Sequence, residues 1–128
     1  EFSCVYCNQC KRWDAKVDKP EGVGITDYQK LSVRTLNSDL TPKETIINMV
    51  MGIAGETGEV VDLFKKHFYQ EHKLDKDKIK EELGDIMFYI VNLCTLLDID
   101  AKDMLGSNIK KLQNRYPKGF DAERSINR

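Results

Sequence analysis

The stretch Gly52-Ile53-Ala54-Gly55-Glu56-Thr57-Gly58-Glu59-Val60-Val61-Asp62 decides how this chain is read. It lies inside a long run of helical periodicity, yet it carries three glycines at a spacing of three. An interior helical glycine costs about 1 kcal/mol relative to alanine, so three on successive turns call for a reason. The spacing puts Gly52, Gly55 and Gly58 on one slanted stripe, where a partner backbone or a ligand can come close. Glu56 and Glu59 flank that stripe and point the same way, with Cβ atoms about 5–6 Å apart. Two carboxylates held so close repel each other unless positive charge sits between them. A divalent cation answers that need, and the question becomes where its other ligands lie.

The second half of the answer stands 22 residues further on, where Glu81-Glu82-Leu83-Gly84-Asp85 repeats the pattern with Glu82 and Asp85 three apart. That separation lets one helix end, turn and return antiparallel. Two antiparallel helices about 8–10 Å apart can aim both pairs into one space. Four carboxylates make a hard oxygen site that suits Mg²⁺, with Mn²⁺ as the alternative. A metal there lowers the pKa of bound water and neutralises phosphate charge during attack at phosphorus. Without it, the converging carboxylates raise one another's pKa and destabilise the fold. Either pair alone reads as solvated charge on a helix face. The two together, each beside a costly glycine and each at the rim of an apolar face, favour metal-dependent phosphate chemistry.

Around these pairs the chain reads as all-α. Thr26 is placed to cap a first helix over about 27–36, with Tyr28, Leu31 and Leu36 as its apolar members and Asn37-Ser38-Asp39 closing it. Thr41-Pro42-Lys43-Glu44 combines an N-cap, proline at the first helical position and a capping box. The second helix then runs to about 69, with Ile46, Met49, Val50, Ile53, Val60, Phe64 and Phe68 on its apolar face. A polar turn over 70–77 offers Asp75 or Asp77 as the next cap, and a third helix spans about 78–97. Its second half, residues 86–97, is apolar almost all round and should be buried on every side. One small chain cannot surround it, so the expected architecture is a four-helix-bundle type completed by homo-oligomerisation, as a homodimer or homotetramer. Asp100 caps a fourth helix over about 101–115, which Pro117 and Gly119 end, leaving Phe120 to fold back as an anchor.

The bulk numbers set the boundaries. A chain of 128 residues suits one domain. The division expected is a tail or linker over 1–25, the helical domain over 26–120 and a polar C-terminal tail over 121–128. Lysine plus arginine (20) nearly balances aspartate plus glutamate (21), for a net charge of −1, and nucleic-acid binders normally show a basic excess. No apolar run reaches the about 18 residues that a membrane span requires. Cys4, Cys7 and Cys10 form C-x-x-C-x-x-C, an invitation to read zinc or an iron–sulfur cluster. Asp14 stands where the ferredoxin-type run needs a fourth cysteine, and a tail with free thiols is the favoured reading. Cys94 falls in an apolar helical run and reads as core. Nothing demands an oxidising compartment, and a cytoplasmic location is expected.

Three blocks carry a family resemblance. Gly52–Asp62 with Leu63, Phe64, Lys65, Lys66 and His67; Glu81–Asp85 with Tyr89; and Asn108-x-x-Lys111-Leu112-x-x-Arg115-Tyr116-Pro117-x-Gly119-Phe120 together resemble the MazG-like nucleoside triphosphate pyrophosphohydrolases. The match covers about 26–120 in the family's order. The resemblance implies an all-α, oligomeric, Mg²⁺-dependent enzyme that cleaves (d)NTPs between the α- and β-phosphates. It implies Glu56, Glu59, Glu82 and Asp85 as metal ligands, with Glu59 also orienting or deprotonating the attacking water. Lys66, Lys111 and Arg115 would meet the triphosphate, Asn108 the sugar or base, and Tyr89 would stack on a base. Each of the last group has a plainer reading as well: Lys66 as the partner of Asp62, Asn108 as a solvent-facing side chain, Tyr89 as core. The rival to an enzyme is a helical interaction module, or a regulator that binds nucleotides without turning them over.

Overall fold

The computed structural model describes residues 22–128. The expected cysteine motif, Cys4, Cys7 and Cys10, lies outside the described residues. Among the described residues the secondary structure is helical, with no strand beyond an isolated bridge between Pro117 and Gly119. In chain order the helices are α1 (Ile25–Ser32), α2 (Pro42–Tyr69), α3 (Lys76–Leu96), α4 (Ala101–Arg115) and α5 (Ala122–Ile126). A 3₁₀ turn, Val33–Thr35, follows α1.

The start signals act as their chemistry requires. Thr41 caps α2: its Oγ1 accepts from the Glu44 backbone N–H at 3.2 Å, and its hydroxyl donates to Glu44 Oε1 at 2.8 Å. Asp75 caps α3 through the N–H groups of Asp77 and Lys78. Asp100 caps α4 through Lys102. Thr26 does not cap α1. That helix begins at Ile25 behind an extended Gly24 that supplies no side-chain bond, which puts Thr26 inside its first turn. The residues expected as a polar tail form the short α5, capped by Asp121.

The long pair α2 and α3, 28 and 21 residues, makes the principal packing contact and runs antiparallel across the turn between them. The side of α2 facing α3 runs Thr45, Met49, Gly52, Glu56, Val60 and Leu63, all buried or half-buried. Ile46 and Ile53 are half-buried, whereas Val50, Phe64 and Phe68, expected on the buried face, are exposed, Phe68 by 69%. The helix therefore carries two apolar stripes and spends one of them within the protomer. The centre of the core is Met49, Val91 and Ala101, with Val33 and Cys94 beside them, and Cys94 Sγ lies 3.6 Å from Met104 Sδ. Cys94 is core, as expected.

Within one protomer the burial of α3 is partial. Val91, Asn92 and Cys94 are buried, while residues 86–90 are half-buried and Leu97 is exposed. On α4, Ala101 is buried and Cys94 meets Met104, but Leu105, Ile109 and Leu112 stay exposed, Ile109 by 55%. Phe120 turns back to Tyr116, ring centroids 5.6 Å apart, over a Gly119 at φ 94° that a side chain would strain. It remains 79% exposed and is no buried anchor.

A glutamine ties the small helix α1 to this frame. Gln29 Nε2 donates to Ile99 O at 2.9 Å and to Thr95 Oγ1 at 3.2 Å, and Gln29 Oε1 accepts from Ala101 N at 2.9 Å. One side chain thus spans the α3–α4 junction. Removing it leaves the amide N–H of the buried Ala101 without its partner, at about 1–3 kcal/mol for a buried group left unmade, while the exposed Ile99 carbonyl can turn to water. Gln29→Ala is therefore expected to lower the midpoint of thermal unfolding by several degrees, measured by circular dichroism, with fast amide exchange at Ala101.

Candidate metal and nucleotide site

The site follows from the register of α2 against α3. Gly52 meets Tyr89, and one turn further along α2 Glu56 meets Glu82 and Asp85. One carboxylate oxygen from each of Glu56, Glu82 and Asp85 lies within 4.8 Å of the others. Oxygens held about 2.0–2.1 Å from an Mg²⁺ ion are roughly 3–4 Å from one another, so small side-chain movements suffice to close around one cation. Glu56 and Glu82 are half-buried, and Asp85 is exposed. Among the described residues no lysine or arginine forms an ion pair with any of the three.

Glu82 responds to its burial and to its acidic neighbours. Its pKa is raised above the ordinary glutamate value, first by desolvation and then by its hydrogen-bonding contact with Glu56, with the charges of Glu56, Asp85 and Glu59 adding to the effect. Hard oxygen donors, no internal cation and a strained titration together form a set that a divalent cation fits.

Glu59, the fourth carboxylate of the expected set, stands outside the three-residue group. Three positions along a helix turn a side chain about 60° off its starting direction, so Glu59 is exposed while Glu56 faces α3. It is still near enough for its charge to act on Glu82 and Lys66. Lys66 pairs with Asp62, which also binds Lys65 at 3.1 Å. The Asp62 carboxyl is lowered by its hydrogen bonds to Lys66 and then Lys65, and Lys66 is raised chiefly by Asp62. The plainer reading of Lys66 is thus what the structure has, with Glu59 as a neighbouring charge.

Tyr89 is half-buried, its ring laid against the backbone at Gly52 and edge-on to Phe88, centroids 5.2 Å and planes 82° apart. Packing between helices is its observed role. Asn108, Lys111 and Arg115 are exposed on α4, and no hydrogen bond or ion pair joins their side chains to the carboxylates. The Arg115 carbonyl accepts from Arg124 Nε at 2.7 Å, which pins α5 to the end of α4.

Two residues that meet α1 or belong to it were not legible as such. Tyr28, read as an apolar member of α1, has its phenol pKa raised by burial and then by the Asp85 charge, which brings α1 to the edge of the carboxylate group. Asn92 follows Glu82, Asp85 and Tyr89 on the same side of α3. It is fully buried, donating to Ser32 Oγ at 3.1 Å and Phe88 O at 2.9 Å, while its Oδ1 has no partner. Both depend on α1 folding across α3, and periodicity carries no signal for that.

The sign of the Glu82 shift yields a test. A folded-state pKa above the unfolded one means the folded chain binds more protons in that window, so its stability falls as pH rises from the ordinary glutamate pKa through the raised one. Glu82→Gln removes that repulsion. In chelator at neutral pH the variant is expected to melt higher than the parent, and to lose the parent's stabilisation by millimolar Mg²⁺. Thermal denaturation with and without Mg²⁺ reads both effects.

Comparison with known proteins gives the family. The sequence pattern of the MazG nucleotide pyrophosphohydrolase domain matches residues 44–120, a span that includes Glu56, Glu59, Glu82, Asp85 and α4. The Gene 37 protein of Mycobacterium phage L5 is 31% identical over 80 residues, which cover 59% of this chain and 70% of that protein. No solved structure matches the chain significantly. On the length of the matched domain and the residues it contains, the chain belongs to the MazG nucleotide pyrophosphohydrolase domain family.

Proposed function

We propose that this protein hydrolyses nucleoside or deoxynucleoside triphosphates to the monophosphate and pyrophosphate, with Mg²⁺ as cofactor and Mn²⁺ as a substitute, and that it clears surplus or non-standard nucleotides from a cytoplasmic pool. The observation that carries this reading is the convergence of Glu56, Glu82 and Asp85 from two helices, without a neutralising cation, inside a domain of this family. Bound between them, a divalent cation would neutralise triphosphate charge and make water more acidic.

The chain's own residues divide the remaining work. Glu56, Glu82 and Asp85 hold the cation. Glu59, free of that group and one turn from Glu56, accepts the proton of the attacking water. The water oxygen bonds to the α-phosphorus as the bridging bond to the β-phosphate breaks, so the monophosphate keeps the new oxygen and pyrophosphate leaves. Lys66 exchanges its Asp62 contact for a phosphate oxygen, Lys111 and Arg115 hold the remaining phosphate charge, and Asn108 bonds the sugar or base. Tyr89 forms the floor beside the carboxylates.

The same reading includes a second copy of the chain. The unused apolar stripe of α2, through Val50, Val61, Phe64 and Phe68, and the exposed Leu105, Ile109 and Leu112 of α4 give each protomer uncovered apolar surface of the kind that marks an interface. A homodimer or homotetramer would cover it and would carry α4 residues toward a neighbouring carboxylate group. Among the described residues no helix is long and apolar enough to cross a membrane.

Two measurements test the proposal. Glu59→Gln is expected to reduce Mg²⁺-dependent pyrophosphate release from a panel of NTPs and dNTPs by at least about 100-fold, the scale of general base catalysis, with its helical circular dichroism unchanged. Undiminished turnover excludes Glu59 as the base. Light scattering after size exclusion is expected to give two or four times the 14.8 kDa chain mass, and Ile109→Asp to shift it toward the monomer.

A further inference from the structure

Of the three glycines spaced along α2, the structure separates one from the others. A Cβ built on Gly55 or Gly58 meets nothing within 4 Å. A Cβ built on Gly52 would overlap Cγ, Cδ1 and Cε1 of the Tyr89 ring. Rotation about the ring's own axis leaves Cγ where it is, so flipping the ring cannot relieve that overlap. To regain an ordinary carbon–carbon contact of about 3.5–4.0 Å, the ring or its helix would have to retreat by roughly 1 Å.

The position of this contact gives it consequence. Gly52 stands one turn before Glu56 on α2, and Tyr89 one turn after Asp85 on α3. The helices are antiparallel, so the close contact of Gly52 with Tyr89 adjoins the place where their carboxylates converge. Metal–ligand distances tolerate about 0.2 Å, and functional groups about 0.5 Å. A displacement of roughly 1 Å, one turn away, exceeds both.

We propose that Gly52 is a positioning residue for the carboxylate site: by letting the Tyr89 ring lie on the α2 backbone, it sets the separation at which α2 and α3 bring Glu56 to Glu82 and Asp85. The inference rests on the reading of those carboxylates as a divalent-metal site, and it does not require turnover.

The test is Mn²⁺ affinity, measured by calorimetry or electron paramagnetic resonance on the full chain, well below the melting temperature of each protein. The set is the parent, Gly52→Ala, Tyr89→Ala and the double variant. Gly52→Ala is expected to weaken Mn²⁺ binding about 10–100-fold, the scale found for residues that orient metal ligands. The double variant is expected to recover the affinity of Tyr89→Ala, because the methyl group then occupies the space the ring has left. Parent-like affinity in a folded Gly52→Ala, or a double variant no better than Gly52→Ala, overturns the proposal. Should Gly52→Ala fail to fold, a folded double variant matching Tyr89→Ala supports it, and an unfolded double variant overturns it. Absence of Mn²⁺ binding by the parent itself removes the metal reading, and the positioning role with it.

Discussion

Repulsion among three carboxylates is the constraint on which the rest of this structure turns. Glu56, Glu82 and Asp85 converge with no lysine or arginine paired to them, and the pKa of Glu82 is raised first by its burial and then by its contact with Glu56 and the charges around it. Side chains on one flexible segment would splay apart to relieve it. Here they are set on two long helices whose packing is fixed elsewhere, by Met49 and Val91 in the core and by Tyr89 against Gly52. Apolar burial holds the helices together, and the charged group is carried along. The fold thereby stores an unfavourable arrangement that a cation can relieve, as functional sites commonly do.

The smaller elements support that pair differently. α1 buries little apolar surface and is tied by Gln29 to the α3–α4 junction and by Ser32 to Asn92. Polar ties of this kind depend on geometry and give a defined placement with modest stability. They bring Tyr28 to the edge of the acidic group. α4 is anchored near its start, by the Asp100 cap and the fully buried Ala101, and extends with its basic and apolar residues exposed. A helix whose Leu105, Ile109 and Leu112 find no cover in its own protomer is half of a contact, and the second stripe of α2 has the same character.

Local sequence made much of this legible. The Thr41-Pro42-Lys43-Glu44 signal, the Asp75 and Asp100 caps and the ends of α2 and α4 depend on a few adjacent residues, and they fold as read. The Thr26 cap fails because the helix starts one residue earlier, at Ile25, which puts Thr26 inside the first turn. The apolar face of α2 is also misjudged in part. Periodicity finds apolar stripes, but it cannot say which of two meets the partner helix, so Val50, Phe64 and Phe68 turn out exposed. In the carboxylate group the spacing identified the residues, and only packing distinguished Glu56, which faces α3, from Glu59, which does not.

The sequence by itself determined the all-α class, the antiparallel return of α3 on α2 and a carboxylate pair on each of those helices, because capping, periodicity and a short turn are local effects written in neighbouring residues. Tertiary structure alone decided which members of those pairs come together, that Tyr89 packs on Gly52, that Tyr28 comes near Asp85, and that Asn92 bonds Ser32. Those facts depend on the rotation and separation of whole helices. These are set by the sum of many side-chain contacts between residues distant in the chain, and no single stretch of sequence contains that sum.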